Sequence, residues 1–308
     1  MRFFMTAEIS PMHVIVFGGP NGSGKTSLID EVRKTGLQTL RGVYPVPQYF
    51  INPDQVAKDL VGDFATQDER DRAAFAAAVK MRAQTIESKE SFAFETVMSH
   101  PSRINEMLRL KEQGYLLLLT FVTTDDPEKN VARVNFRFAT GTTTGHFVPP
   151  ERVRDRYQRT LQLLPKAVEV ADAVFIYDNS EDFVKAKLQA YIENDNFVIT
   201  EKPKPWVLHR LVTPLQSREN DLETLVLQIK AAGYSSVLAD ELRGSYRGEI
   251  FNTTGHYVAQ SDMGTRQIVI HDRLMLDTMF DLDAAPTYPV GEKIIITYSP
   301  TSAPLIEH

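Results

Sequence analysis

Short apolar runs alternate with longer helical patterns between residue 12 and about residue 195. Runs such as HVIVFG at 13–18 and YLLLLTFVT at 115–123 are continuously apolar, which is typical of strands buried in a parallel sheet. Strands that alternate with helices predict an α/β fold in which a parallel sheet is flanked by helices. The predicted strands lie at 13–18, 91–95, 115–123 and 173–177, and the predicted helices lie at 26–34, about 69–89, 102–113 and from about residue 180.

The pattern changes after about residue 198. The stretch EKPKPW at 201–206 contains two prolines and few helix formers, which predicts a linker. One amphipathic helix is predicted near 219–232, and short β-like runs separated by Gly, Asn and Asp turns follow it. The sequence therefore predicts a first domain over 1–198 and a small α+β module over 199–308. The predicted strands of the module lie at 246–251, 256–260, 267–271 and 293–298.

The composition is that of an ordinary globular protein, since 43% of the 308 residues are hydrophobic and 24% are charged. No run approaches the ~18 consecutive apolar residues that a membrane span needs, and the first residues do not resemble a cleavable signal. The absence of cysteine excludes disulfides, thiolate metal sites and a cysteine nucleophile, and it suits a cytoplasmic protein. A net charge of −6 argues against general nucleic-acid binding.

The segment between the first predicted strand and its helix matches G-x-x-x-x-G-K-[ST], a nucleotide-phosphate loop. Its glycines let successive N–H groups point at phosphate oxygens, and the helix that follows adds the positive end of its dipole. Lys25 would reach the β- and γ-phosphates of ATP, and the Thr26 hydroxyl would bind Mg²⁺. The strand–helix context disfavours the alternative, a glycine-rich turn without a ligand. The predicted cradle consists of Gly19, Pro20, Asn21, Gly22, Ser23, Gly24, Lys25, Thr26 and Ser27.

A phosphate loop does not by itself distinguish kinases from ATPases and GTPases. The sequence has no N-K-x-D base reader and no ABC-type signature. The run 115–123 carries no acid, and Asp125 and Asp126 follow only after its end. This pattern favours a P-loop kinase that acts on a small molecule.

Two carboxylates stand where such a kinase needs them. Asp54 follows an apolar run and precedes a helical pattern. There it can act as a general base toward an acceptor hydroxyl, or it can simply cap the helix. Glu95 ends a predicted strand, and the carboxyl ends of strands in open α/β sheets face the ligand crevice. We therefore favour substrate binding over core packing for Glu95.

Arginines lie on both sides of the Gly-, Thr- and Pro-rich segment 138–150. This segment predicts a mobile lid, with an ordinary surface loop as the alternative. One or two of these arginines can clamp the charge of the transferred phosphate, while others would be solvated or ion-paired, and the sequence does not choose among them. We assign catalytic roles to Arg137 and Arg156 and substrate binding to Arg133, Arg152 and Arg159.

Asp178 and Asn179 follow the last predicted strand of the first domain directly. They can line the pocket for the adenine of ATP. Alternatively, Asn179 and Ser180 start the next helix, and both roles can hold together.

In this order, the motifs resemble the zeta-toxin family of P-loop kinases, in the subgroup often described as predicted ATPases. The F-E-T run and the G-H-x-V-P segment are the motifs most specific to this family. The chain departs from the family at 138–146, where a longer segment replaces a more compact turn, so the lid arginines cannot be aligned one by one. The resemblance covers about 195 residues and rests on GGPNGSGKTS (18–27), INPD (51–54), SFAFETVMS (91–99), GHFVP (145–149), RDRYQR (154–159) and IYDNS (176–180).

The resemblance implies an ATP- and Mg²⁺-dependent kinase that phosphorylates the 3′-hydroxyl of a UDP-amino-sugar. It implies Lys25 and Thr26 for ATP and Mg²⁺, and Asp54 as the base. It also implies lid arginines on the phosphates, and it makes an antitoxin a candidate partner. The residues implied on the acceptor are Glu95 and Thr96, with Ser99 from the same run.

The tail resembles a KfrB-type domain over about 245–299. The matching stretches are SYRGEIFNTTGHYVAQ (245–260), VIHDRLML (269–276) and VGEKIIITYS (290–299). They carry no chemistry that we can assign, and His256 and His271 are interpreted as structural residues.

Two functions remain open from the sequence. The first is a kinase that phosphorylates a hydroxyl of a small nucleotide-type acceptor. The second is a nucleotide-dependent ATPase or regulator whose C-terminal module binds a protein or DNA partner. Turnover of ATP into a phosphorylated product separates them.

Overall fold

The computed structural model describes residues 12–52, 56, 64, 66–141, 148–194, 196–265, 267–280 and 286–307. The strands of its first part are β1 (His13–Gly18), β2 (Leu37–Thr39), β3 (Gly42–Tyr44), β4 (Tyr49–Ile51), β5 (Phe92–Thr96), β6 (Leu116–Thr123), β7 (Ala173–Asp178), β8 (Lys187–Glu193) and β9 (Asn196–Ile199). Seven of them form one sheet in the order β4-β5-β1-β6-β7-β8-β9, and β2 pairs with β3 alone. The strands from β4 to β7 are parallel, whereas β8 and β9 are added antiparallel at one edge.

Helices cover both faces of this sheet. The described helices of the first part are α1 (Lys25–Thr35), α2 (Gln67–Glu87), α3 (Pro101–Glu112), α4 (Pro127–Ala139) and α5 (Pro150–Val170). Successive strand residues point to opposite faces, so the wholly buried β1 needs cover on both sides. Ile15 packs in one hydrophobic core with Leu28 of α1, while Val14 packs in another with Ile104 of α3 and Leu164 of α5. None of the described helices is both long enough and apolar enough to cross a membrane.

The fold agrees with the predicted class, a mixed α/β architecture in which a mostly parallel sheet is flanked by helices and a smaller second sheet follows. Each of the four predicted strands of the first part is present within one residue of its expected ends. The helix predicted from about residue 180 is wrong, because the chain there turns back into β8. Asn194 adopts the left-handed conformation with φ 52° between β8 and β9, and the hairpin extends the sheet beside β7. Sheet pairing therefore overrides the local helix preference.

The chain after β9 continues in a helix. Pro205–Val207 (α6) runs through a π-helical turn at Leu208–Val212 into α7 (Thr213–Ala231). Proline suits the first turn of a helix, where its missing N–H would have no intrahelical partner. Trp206 and Val207 are buried, so the linker predicted at 201–206 is wrong at its C-terminal end.

The C-terminal module is built on a second sheet of six strands. These strands are β10 (Ser236–Leu238), β11 (Ser245–Thr253), β12 (Tyr257–Ser261), β13 (Ile268–Asp272), β14 (Lys293–Thr297) and β15 (Leu305–Glu307). Their order is β10-β13-β12-β11-β14-β15. Leu225 and Ile229 of α7 pack on Tyr257 and Ile270 of this sheet, and α8 (Arg273–Asp277) follows β13 directly. An α+β module was expected here, and its division from the first domain at residue 198 stays a prediction.

A buried network of ion pairs joins the module to the first part of the chain. Arg218 of α7 is only 1% exposed and donates to both Glu169 of α5, at 2.8 and 2.9 Å, and Asp272, at 2.7 and 3.1 Å. Lys166 of α5 contacts Asp272 at 3.0 Å and Glu241 at 2.9 Å. Burial alone would lower the pKa of Lys166, but the two carboxylates outweigh it and raise the pKa. Buried charges need such partners, so the network fixes how the two parts pack.

Candidate active site

The phosphate loop runs from the end of β1 into the first turn of α1. Gly22 and Gly24 adopt φ values of 77° and 96°, in the left-handed region that glycine enters without steric cost. A Cβ at Gly22 would stand 2.5 Å from the carbonyl oxygen of Asn130, and one at Gly24 would stand 2.0 Å from the amide nitrogen of Asn179. Both glycines are therefore required by the backbone and by their neighbours. Because α1 begins at Lys25, the positive end of its dipole lies at the loop.

Lys25 lies within this loop. Its Nζ donates to the carbonyl oxygens of Gly19 at 2.8 Å and Pro20 at 3.0 Å, and it is 3.6 Å from Oε1 of Glu95. The side chain is buried, so its ammonium group is held by the loop and does not extend into solvent. A cation in this position can bind the phosphate oxygens of a nucleotide.

Two asparagines support the loop from behind. The buried Asn130 of α4 donates from Nδ2 to the carbonyl oxygen of Asn21 at 2.6 Å, and its Oδ1 accepts a hydrogen bond from the Thr124 hydroxyl. Asn179 donates from Nδ2 to the carbonyl oxygen of Ser23 at 2.8 Å. Asn130 was not predicted as a site residue, although an asparagine inside a helix is a poor helix former and usually has a hydrogen-bonding reason to be there.

Glu95 lies beside the loop because β1 and β5 are parallel neighbours, with Phe17 paired to Glu95. Besides its contact with Lys25, its Oε2 accepts a hydrogen bond from Nδ2 of Asn52 at 3.1 Å. The side chain is partly exposed. Carboxyl ends of parallel strands form the ligand crevice of such sheets, so Glu95 is placed where an acceptor can reach it.

The turn after β5 is held in a fixed conformation. The Thr96 hydroxyl accepts a hydrogen bond from the Met98 N–H at 3.1 Å, and Met98 has φ 58°, which is unusual for a residue with a side chain. The Thr160 hydroxyl of α5 donates to the carbonyl oxygen of Val97 at 2.8 Å. Thr96 and Ser99 are both partly exposed at this turn, and their role on an acceptor stays a prediction.

Asp54, the predicted general base, lies outside the described residues, as do residues 142–147 of the predicted lid. Asn52 is the last described residue before Asp54 in sequence, and it contacts Glu95. The roles of Asp54 and of the lid stay predictions.

Arg156 is the predicted catalytic arginine that reaches the phosphate loop, where its Nη1 donates to Oδ1 of Asn21 at 3.3 Å. Its pKa is lowered by burial and by the nearby charges of Arg152 and Arg159. A half-buried cation beside other cations is stabilised by an anion, and a phosphate group would supply one. Arg159 lies one turn further along α5 and pairs with Asp155, whereas Arg152 is exposed.

Arg133 and Arg137 lie on the side of the loop where the chain leaves β7. Arg133 donates to the carbonyl oxygen of Asn179 at 2.8 Å and pairs with Asp182, and Arg137 donates to the carbonyl oxygen of Arg133 at 3.3 Å. Arg156 is thus an arginine of the predicted set that donates directly to a side chain of the phosphate loop.

Asp178 does not line an open pocket, contrary to the prediction. Its carboxylate is buried and accepts hydrogen bonds from the Ser180 hydroxyl at 2.7 Å and from Nε1 of Trp206 at 2.8 Å. A buried carboxylate whose oxygens are occupied by the chain has a structural role. Asn179 does lie at the loop, but it touches the backbone of the loop through its amide.

Thr26 and Ser27 present their side chains at the exposed first turn of α1. Mg²⁺ bound with a nucleotide usually takes only one or two protein oxygens, with phosphates and water as its other ligands. The Thr26 hydroxyl suits that chemistry. Among the described residues, no group of three His, Cys, Asp or Glu side chains forms a metal site of its own.

Comparisons with solved structures find only distant likenesses. AvrRxo1-ORF1:AvrRxo1-ORF2, solved with sulphate ions and with ATP, is 14% and 15% identical, with TM-scores of 0.47 and 0.46. Each alignment covers 61% of this chain and 60% of the other, so the chain spans about 60% of the length of these structures. The PezAT chromosomal toxin–antitoxin system of Streptococcus pneumoniae is 16% identical, with a TM-score of 0.37, over 54% of this chain and 68% of the other. No curated protein matches the sequence.

Two family models match separate parts of the chain. The model described as Zeta toxin matches residues 61–187, and the model described as KfrB Domain matches residues 245–302. The first match begins after the phosphate loop, so the loop is identified by its own sequence and geometry. The chain therefore carries a zeta-toxin domain over residues 61–187 and a KfrB domain over residues 245–302.

Proposed function

We propose that the chain is an ATP- and Mg²⁺-dependent kinase that transfers the γ-phosphate of ATP to a hydroxyl of a small nucleotide-type acceptor, such as a UDP-amino-sugar. The distance of 3.6 Å between Nζ of Lys25 and Oε1 of Glu95 carries this proposal. It brings the lysine of a phosphate loop next to an acid at the end of the neighbouring strand. A donor phosphate on the loop and an acceptor at Glu95 would therefore meet.

The donor half of the site supports a triphosphate. The loop, the start of α1 and Lys25 provide N–H groups and positive charge. The Thr26 hydroxyl would hold Mg²⁺, which would neutralise charge on the β- and γ-phosphates. Arg156 contacts Asn21 of the loop, where it would stabilise charge on the transferred group.

The acceptor half is proposed from Glu95, from the residues of its turn and from Asp54. Glu95 would hold the acceptor, and Asp54 would take the proton of its hydroxyl as the oxygen bonds to the γ-phosphorus and the bond from phosphorus to ADP breaks. Thr96 and Ser99 would add hydrogen bonds to the acceptor.

Incubation of the full chain with ATP, Mg²⁺ and a panel of UDP-sugars, nucleotides and NAD tests this function directly. Mass spectrometry should detect one acceptor that has gained a phosphoryl group together with an equal amount of ADP. ATP consumption that yields only ADP and inorganic phosphate would favour an ATPase, and no product at all would leave the kinase without support.

Variants assign the roles. Lys25→Ala should abolish ATP binding, and Glu95→Gln should raise the KM of the acceptor while ATP binding is kept. Arg156→Ala should lower kcat about 10²-fold or more, because it removes charge from the transition state. Arg154 lies on the exposed side of α5 and pairs with Glu128 of α4. Arg154→Ala is therefore the matched control and should leave kcat unchanged.

Asp54→Ala should abolish transfer while leaving the Kd of ATP nearly unchanged, because the base acts on the acceptor and not on the donor. Asp59→Ala, in the same sequence segment, is its control and should transfer phosphate normally. A loss of ATP affinity in Asp54→Ala would instead assign Asp54 to metal binding or to the structure.

A second candidate, the nucleotide-dependent regulator, is favoured by one observation. Trp206 of the C-terminal part contacts Asp178, and the next residue, Asn179, holds the backbone of Ser23 in the loop. Nucleotide on the loop would then be coupled to the module, whose partner would be a protein such as an antitoxin, or DNA. A partner whose affinity for the full chain changes with ATP, in the absence of any phosphorylated product, would favour this function.

A further inference from the structure

Helix α8 of the C-terminal module lies along α5 of the first part of the chain. At its start, Asp272 contacts Nζ of Lys166 at 3.0 Å. Just beyond its end, Sδ of Met279 lies 3.7 Å from Nη1 of Arg159. Lys166 and Arg159 are two helical turns apart, or about 10 Å. The two segments therefore run in opposite directions and keep contact over this length.

Both ends of α8 are fixed by buried or partly buried contacts. Asp272 caps the helix by accepting the Leu274 N–H at 2.9 Å and belongs to the ion network with Arg218. Asp277 accepts hydrogen bonds from Nε of Arg273 at 2.7 Å and from the Tyr288 hydroxyl at 2.8 Å. Met279 therefore follows a helix that is held by hydrogen bonds at both ends.

The same face of α5 leads from Met279 to the phosphate loop. Arg159 touches Met279, and Arg156, one turn or about 5 Å earlier, touches Asn21 of the loop. Thr160, which follows Arg159 on α5, donates a hydrogen bond from its hydroxyl to the carbonyl oxygen of Val97, two residues after Glu95. Met279 of the C-terminal module thus contacts α5 within one helical turn of Arg156, which touches the loop, and next to Thr160, which holds the turn after β5.

Met279 and Phe280 present apolar surface at this place. Their exposed fractions are 37% and 46%, which is large for hydrophobic side chains in a module with an ordered core. Arg159 can bind phosphate, and it lies next to the thioether of Met279, which the aromatic residue Phe280 follows in sequence. The surface therefore combines positive charge with apolar groups. It suits a ligand that has both phosphate charge and a flat or apolar ring.

We propose that the KfrB module forms one wall of the acceptor site, in which Met279 and Phe280 receive the uncharged ring of a nucleotide-type acceptor while Arg159 holds its phosphates. This inference rests on the proposed kinase function and deepens it, because it assigns acceptor specificity to the C-terminal module. A kinase domain with a different module in this place would then choose a different acceptor.

Two probes distinguish the contribution of Met279 and Phe280 to binding from that of Arg159. The full chain, saturated with a non-hydrolysable ATP analogue and Mg²⁺, is titrated calorimetrically with uridine diphosphate and with inorganic pyrophosphate. The wild type should bind uridine diphosphate more tightly. Met279→Ala and Phe280→Ala should each weaken uridine diphosphate about 5-fold or more, as expected for loss of a contact with a base, and should leave pyrophosphate within about twofold.

The matched control is Met263→Ala, which removes another exposed methionine of the module and should change neither affinity. Arg159→Ala should weaken both probes. Thermal melting of each variant checks that it is folded, and the affinity for the ATP analogue should stay unchanged in the Met279 and Phe280 variants.

A second measurement needs no substitution. Oxidation of methionine by dilute hydrogen peroxide, followed by peptide mass spectrometry, should be slowed at Met279 by uridine diphosphate and unchanged at Met263. Wild-type affinities retained in both wall variants, or equal oxidation of Met279 with and without the nucleotide, would overturn the wall while leaving the kinase function intact. Binding of the ATP analogue without binding of either probe would reject the nucleotide-type acceptor and the wall together, and failure to bind the analogue would reject the donor half of the kinase.

Discussion

The indole N–H of Trp206 donates a hydrogen bond to Oδ2 of Asp178 over 2.8 Å, and Trp206 packs against Phe121 of the central sheet. Asp178 is the last residue of β7, and the next residue, Asn179, donates to the backbone of Ser23 in the phosphate loop. Two hydrogen bonds, made by the neighbouring residues Asp178 and Asn179, therefore connect the start of the C-terminal part with the phosphate loop. Trp206 is also the sole tryptophan of the chain, so its fluorescence reports on this connection.

We expect Asp178→Asn to lower the free energy of unfolding by about 2 kcal/mol, because both carboxylate oxygens accept hydrogen bonds: Oδ1 from the Ser180 N–H, and Oδ2 from the Ser180 hydroxyl and the indole. An amide has only one accepting oxygen, so its buried NH2 group would face one of these donors. Urea denaturation followed by Trp206 emission measures the loss, and the folded emission should also change. Asp182→Asn, which breaks the surface pair with Arg133, should cost much less, because exposed ion pairs contribute little to stability. Equal stability of the two variants would contradict a structural role for Asp178.

Asp178 also shows where the sequence was insufficient. Its place after a strand was predictable from the apolar run, but its partner is Trp206, which is distant in sequence and lies in a stretch that resembled a linker. The helix expected after it was wrong for the same reason, because β8 is recruited by pairing with β7 and not by local preference.

Asn130 offers a test of loop preorganisation. Its amide holds the carbonyl oxygen of Asn21 at 2.6 Å, so Asn130→Ala leaves that oxygen unpaired and the loop less ordered. We expect about 10-fold weaker ATP binding, measured by calorimetry, and a loss of stability on the order of 1–3 kcal/mol. Asn135 is exposed on the same helix, and Asn135→Ala should change neither quantity. Unchanged ATP binding in Asn130→Ala would show that the loop orders itself without this support.

The site could be predicted in part because its central contacts are set by strand order. Lys25 follows β1, Glu95 ends β5, and these two strands are parallel neighbours, so a local motif and a strand end suffice to expect them together. The arginines could not be assigned in this way. Arg133 and Arg156 lie on the two helices that flank 138–150, and only the packing of α4 and α5 decides which one touches Asn21.

His271 is a buried residue whose hydrogen bonds define its charge. Its Nδ1 accepts from the Tyr298 hydroxyl at 3.0 Å, and its Nε2 donates to Oε1 of Gln260 at 3.1 Å, whose own amide nitrogen donates to the carbonyl oxygens of Gly248 and Ile294. A neutral imidazole makes both contacts in this way. Burial lowers the pKa of His271 to about 3, in agreement with that protonation state. The interpretation of His271 as a structural residue fits this environment.

A pH dependence of stability follows from His271. Below about pH 6.5 the unfolded chain binds a proton at this residue, whereas the folded chain does not until the pH approaches about 3. Stability should therefore fall as the pH is lowered, with a contribution from His271 of about 1.4 kcal/mol per pH unit. His271→Gln should be less stable at neutral pH but lose stability less steeply between about pH 6.5 and 5, as measured by urea denaturation. The exposed His209→Gln is the control, and an unchanged slope in His271→Gln would contradict the assignment.

The ion network at the junction of the two parts should be the most sensitive point of the chain to substitution. Asp272 accepts from both Arg218 and Lys166, and the positive charges of these partners lower its pKa although burial acts in the opposite direction. Asp272→Asn leaves two buried cations short of a carboxylate, which should cost about 3–5 kcal/mol of unfolding free energy. Because Asp272 also caps α8, the same variant should weaken uridine diphosphate binding through the displaced Met279. Asp240→Asn, at an exposed pair with Arg243, should affect neither stability nor binding, and a stability equal to wild type for Asp272→Asn would show that the network does not hold the module in place.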